Sequence, residues 1–301
     1  SHLFLLLAFL LSTLSQSYSS EQRIIDDPIS SGRQEGHLSK TSTTQSQPHR
    51  QYRQLIETEG DVSLLVVRVM GLDTSPSMDK DALFNTLFVK EASLRRQYHK
   101  CSAGKLNVMP TAKEVLQVRI NMNINGANVA DVIGAADSEG LKQLPGVTSI
   151  RNYADLTMFV VPQGTKWRGT SYWTGYAVVN GKASVIYDDS VKYLGVQMHE
   201  LGHNFGLNHA DRINNPFGDL TSHMSRVLLD FDFPMKCFNA QNHWLLGWFR
   251  DRSITVDPHL PVNVKILGFV DYRKAIRGAE FVVAKVGANL YLQFNRAKLH
   301  N

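Results

Sequence analysis

Apolar positions along this chain fall into a few distinct rhythms, and each rhythm predicts an element. Ser63 to Met70 (SLLVVRVM) is a continuous run rich in β-branched residues and bounded by Gly71, which predicts a buried strand. Ala154 to Val161 (ADLTMFVV) predicts another, ended by Pro162 and Gly164. Val115 to Ile124 alternates apolar and polar side chains with the period of a strand. Met78 to Tyr98 has helical spacing: Asp79 and Asp81 lie in its first turn, and Leu83, Leu87 and Leu94 with Phe84 and Phe88 make an apolar face. Ala127 to Lys142 predicts a second helix and about Val191 to Phe205 a third. Tyr176 to Val179 and Ala183 to Tyr187 flank Asn180-Gly181, a dipeptide that accepts the positive φ of a hairpin turn. From Ile254 to Phe294 the runs shorten into brief strands. The order predicts an α/β (α+β) fold, a mixed twisted sheet with helices packed on it and a smaller, loop-rich C-terminal part.

The N-terminal 60 residues follow a different pattern. Leu3 to Leu11 is apolar over about half the roughly 20 residues a membrane span needs, so it predicts a signal peptide over 1–19, a secreted protein and no stable span. Residues 20–60 are rich in Ser, Gln, Thr and Arg and predict a polar linker or short pro-segment; the folded domain is expected over 61–301. At 43% hydrophobic and 20% charged residues the chain has ample material for a core. A net charge of +5 without any run of five like charges argues against a nucleic-acid partner. Two cysteines, Cys101 and Cys237, leave one disulfide or two buried thiols open; no CxxC occurs.

One segment carries chemistry. Residues 199 to 209 read His-Glu-Leu-Gly-His-Asn-Phe-Gly-Leu-Asn-His, the spacing HExxHxxGxxH. In a random chain of this composition such a pattern would occur on the order of 10⁻⁵ to 10⁻⁴ times. His199 and His203, four apart, project from one helix face and can reach the same ion. His209 would lie about 15 Å further along an unbroken helix, so the helix must stop and the chain return. Gly206 stands where a left-handed residue is needed for that break. Three imidazoles leave a fourth zinc position for water, whose pKa falls towards about 7, and Glu200, on the same helix but not aimed at the ion, suits a general base.

The stretch Gln197-Met198-His199-Glu200-Leu201-Gly202-His203-Asn204-Phe205-Gly206-Leu207 resembles the active-site helix of the gametolysin family of metzincin zinc metallopeptidases. Phe217-Gly218-Asp219 followed by Met224 resembles that family's approach to its Met-turn, and Cys237-Phe238-Asn239-Ala240 with Trp244-Leu245-Leu246-Gly247-Trp248 resembles the block after it. The resemblance implies a metzincin-like zincin domain, with an upper part to about 206 and a lower part beyond. It further implies one catalytic zinc on His199, His203 and His209, catalysis by Glu200, Met224 as an apolar floor, and extracellular or cell-wall protein as substrate. By the same analogy Ala183 to Tyr187 would pair with an extended substrate. Two departures stand out: Ser225 where the family has Gly, and Arg226 where some metzincins carry Tyr. Met235 competes with Met224. His223 is expected at the surface, His243 in the structural interior, Asp188 and Asp189 as caps or solvated loop, and Asp211 as a candidate partner of a ligand imidazole. Lys166, Trp167, Arg168, Tyr172 and Trp173 are expected to pack or solvate rather than bind. The rival readings are a zinc-stabilised binding module without activity and a zinc hydrolase of non-peptide bonds.

Overall fold

The computed structural model describes residues 58–295 except 112, 113, 145, 213, 214, 216 and 227–235. The apolar segment Leu3 to Leu11, nearly all of the polar stretch 20–60, and Met235 lie outside those residues. No helix among the described residues is long and apolar enough to cross a membrane.

β1 (Gly60–Met70) is an interior strand of the main sheet, one place from its edge. One flank pairs in parallel first with β2 (Leu106–Pro110) and then with β3 (Leu116–Arg119); the other pairs in parallel with β4 (Leu156–Val161). β5 (Gly175–Ala177) and β6 (Ala183–Tyr187) form the hairpin expected around Asn180-Gly181. β6 joins β4 in parallel, which leaves antiparallel β5 at the edge. Ala183 to Tyr187 therefore has both flanks occupied, and the assignment of substrate pairing to it is corrected: the free edge on that side belongs to β5.

Both faces of the sheet are covered, which is why β1 reads as an unbroken apolar run. Leu64 and Val66 of β1, Met158 of β4 and Ile186 of β6 share one core with α2 (Leu94–Cys101) and α4 (Leu194–Asn204). Leu65, Val67, Val69 and Phe159 face the other way, onto Val129, Val132, Ile133 and Ala136 of α3 (Val129–Leu141).

The single helix expected over Met78 to Tyr98 is three pieces: α1 (Lys80–Phe84), a π turn over Asn85–Val89, and α2. Lys90 leaves the helical region with ψ 156°, and Ser93 restarts the chain as an N-cap that accepts the amide of Arg96. Leu83, Leu87 and Leu94 enter the same core on both sides of the break, so the apolar stripe runs straight through it.

The chain beyond Gly206 does not build a separate interior. Met224, Phe238, Trp248, Phe249 and Val283 belong to the same core as α2 and α4. Tyr98 lies 5.3 Å from Phe205, 6.0 Å from Phe238 and 6.3 Å from Trp248, ring centre to ring centre. Cys101 and Cys237 form a disulfide that ties the end of α2 to this C-terminal part. Asn239 caps α5 (Ala240–Leu246). β7 (Ser253–Val256), β10 (Val283–Val286) and β11 (Leu290–Gln293) make a small sheet, and β8 (Lys265–Ile266) pairs with β9 (Glu280–Phe281).

Candidate metal centre

α4 carries the motif. It is entered through a 3-10 turn over Asp188–Lys192, but the two aspartates do not cap it. Asp188 accepts the amide of Ser77 at 2.6 Å and Asp189 its hydroxyl at 2.6 Å, so they pin the loop before α1 to the start of the active helix.

The helix stops as its glycine predicts. Gly206 has φ +89°, its N–H reaches the carbonyl of His203 at 2.9 Å, and the N–H of Leu207 reaches that of Gly202 at 3.0 Å. These are the two bonds of a Schellman ending with glycine in the left-handed position. The chain then folds back, and the ligand nitrogens of His199, His203 and His209 lie within 4.8 Å of one another. His199 and His203 are buried and His209 is half-buried.

Backbone carbonyls set the rings. Nδ1 of His199 lies 2.8 Å from the carbonyl oxygen of His223, and Nδ1 of His203 lies 2.8 Å from that of Leu207. A carbonyl only accepts, so each Nδ1 carries the proton and each Nε2 presents a lone pair. Those two Nε2 atoms stand 3.1 Å apart. Two facing lone pairs cannot hydrogen-bond to each other; a cation between them removes the conflict. The spacing is close to the ~3.3 Å set by a tetrahedral ion with bonds of about 2.0–2.1 Å. The donor set thus fits a divalent metal that takes nitrogen ligands. Burial, reinforced by His203 and His209, holds His199 well below the usual imidazole range, and burial with the neighbouring His203 lowers His209 to about 4. Both rings are therefore neutral at pH 7, as metal ligation requires.

The other residues singled out in the sequence fall as follows. Met224 is fully buried beneath α4, where a Cβ on Gly202 would overlap its Sδ. Its carbonyl accepts the amide of Ala210 at 2.7 Å, which joins this turn to the residue after His209. Ser225 closes the turn by donating its hydroxyl to the carbonyl of Ser222 at 2.9 Å. Glu200 is 3% exposed, with its carboxylate against Gly175 of β5. His223, expected at the surface, is buried. It orients His199 through its carbonyl, a role foreseen for the side chain of Asp211 and one that no side-chain pattern could reveal. Trp167 and Trp173 pack inside, Trp173 donating its indole N–H to Thr165. The contact of Gly175 with Glu200 likewise had no signal in the sequence.

The family described as gametolysin peptidase M11 matches residues 64–259. A 116-residue segment is 33% identical to autolysin of Chlamydomonas reinhardtii, covering 36% of this chain and 17% of autolysin's length. Among solved structures, archaemetzincin from Methanopyrus kandleri is similar at 15% identity over 62% of this chain and 93% of that one, with a TM-score of 0.36. Archaemetzincin from Archaeoglobus fulgidus is similar at 15% identity over 60% and 99%, with a TM-score of 0.33.

Proposed function

This chain belongs to the gametolysin peptidase M11 family, and from that premise we propose that it is a secreted zinc metalloendopeptidase acting on extracellular matrix or cell-wall proteins. The observation that carries the reading is the pair of Nε2 lone pairs 3.1 Å apart, with His209 as third donor. A zinc ion held by His199, His203 and His209 would supply Lewis acidity, lowering the pKa of a water and polarising a peptide carbonyl. Glu200 takes the proton from the attacking water and passes it to the departing amine nitrogen. Met224 supports the ligand helix from below. An extended substrate adds to the free edge of β5, its main chain running past Glu200. Secretion is supported by the signal-like Leu3 to Leu11 and by the Cys101–Cys237 disulfide, which suits an oxidising compartment. The substrate class rests on the family resemblance.

Casein digestion with and without chelator, together with metal stoichiometry, tests the reading. The parent protein is expected to carry one zinc per chain, to digest casein, and to stop when chelated. Glu200→Gln should keep the zinc and lose turnover by about 10²–10⁴-fold. A fully active Glu200→Gln would refute the mechanism; a zinc-loaded parent that cleaves nothing would favour the binding module.

A further inference from the structure

We infer that Gly175 is a positioning residue for the Glu200 carboxylate, so that the edge strand also fixes the base; the catalytic part of this inference rests on the function proposed above. A Cβ on Gly175 would stand 2.9 Å from Glu200 Cγ and Oε1 and 3.0 Å from Cδ. Carbon atoms in contact prefer about 3.5–4.0 Å, so a methyl group there has no room. Gly175 is not among the residues with positive φ, so its backbone is one that any residue adopts, and close approach is what the position demands.

One side of this contact must yield when a methyl group is added. β5 is held from several directions. Gly175 is paired with Ile186, the amide of Tyr187 donates to Thr174 at 2.9 Å, and Tyr176 stacks on Trp167 at 5.9 Å. At the hairpin's far end the amide of Asn180 donates to the carbonyl of His203 at 2.9 Å, tying the hairpin to α4 itself. The Glu200 backbone lies inside α4. The far end of the Glu200 side chain is the more deformable side of the contact, so the carboxylate shifts by about 0.5–1 Å or into another rotamer. A misplacement of about 1 Å can cost about 10²-fold in rate.

Two measurements test this. In steady-state peptide hydrolysis, Gly175→Ala should lower kcat by about 10–100-fold with KM little changed and zinc content retained. In thermal unfolding of the chelator-treated protein, Gly175→Ala should lower Tm in the parent and have little effect in the Glu200→Ala background, where the obstructing side chain is gone. The second measurement needs no activity, and it keeps its meaning if Glu200 proves not to be the base. A kcat equal to the parent's, or the same loss of Tm in both backgrounds, would overturn the proposal.

Discussion

His243 is one of several buried rings that limit how far the fold tolerates acid. It is fully buried between Phe249, Phe269, Trp248 and Phe238, with ring centres 5.0 to 6.2 Å away, and its Nδ1 donates to the side-chain oxygen of Gln293. Burial lowers its pKa from 6.5 to about 4, against the weaker opposing effect of the Gln293 bond. As pH falls, the unfolded chain therefore takes up this proton before the folded one. The stability contributed is complete above about pH 6.5 and is lost progressively towards pH 4. A depression of that size corresponds to about 3 kcal/mol. His223 is lowered in the same direction, to about 3, mainly by burial, but it stays in place in a His243 variant and cancels in the comparison. Urea melts of chelator-treated protein at pH 7 and pH 4 should show His243→Phe losing about 3 kcal/mol less than the parent over that interval. Equal losses would mean that His243 is not what titrates.

Among the elements, the end of α4 matters most, because two of the proposed ligands depend on it. The Schellman turn sends Leu207 back so that its carbonyl orients His203, and it starts the return that brings in His209. Gly206→Ala forces a side chain into φ +89°, at a cost of about 1–2 kcal/mol, and sets its Cβ 2.7 Å from the side-chain oxygen of Asn180. Calorimetric unfolding should give a destabilisation of at least ~1–2 kcal/mol, with weaker zinc retention against a chelator; unchanged retention would separate the turn from the metal. This break was legible in the sequence because a glycine at that spacing has a single backbone reason to be there. β1 and β4 were legible because strands covered on both faces have few polar positions. The split of Met78 to Tyr98 was not, because the apolar stripe continues across it. β2 was not assigned: LNVMP is short and ends in Pro110, which an edge strand tolerates. The carbonyls that aim His199 and His203 had no signature either, since every residue carries one and the tertiary path alone selects which is used.

At the scale of the whole molecule, the candidate metal centre depends on two parts of the chain held together by a shared core and one covalent link. Cys101 and Cys237 are 136 residues apart, and in the chain-entropy account closing so long a loop is worth about 5 kcal/mol. The link also lies close to the ligands in bonding terms. The carbonyl of Cys237 accepts the amide of His223 at 3.1 Å, and the carbonyl of His223 accepts Nδ1–H of His199 at 2.8 Å. Beside it, Gln97 of α2 donates to the carbonyl of Lys236 at 2.8 Å. Two hydrogen bonds thus separate the disulfide from a ligand ring, and the second fixes that ring's tautomer. Outer partners of metal-bound histidines typically carry 10–100-fold in affinity. The double variant Cys101→Ser/Cys237→Ser, assayed below its lowered melting temperature by competition with a chromophoric chelator, is expected to bind zinc about 10–100-fold more weakly. Glu200→Gln, which leaves both bonds intact, serves as the reference that should match the parent. If the double variant binds as tightly as the parent while unfolding earlier, the disulfide stabilises the fold without positioning His199.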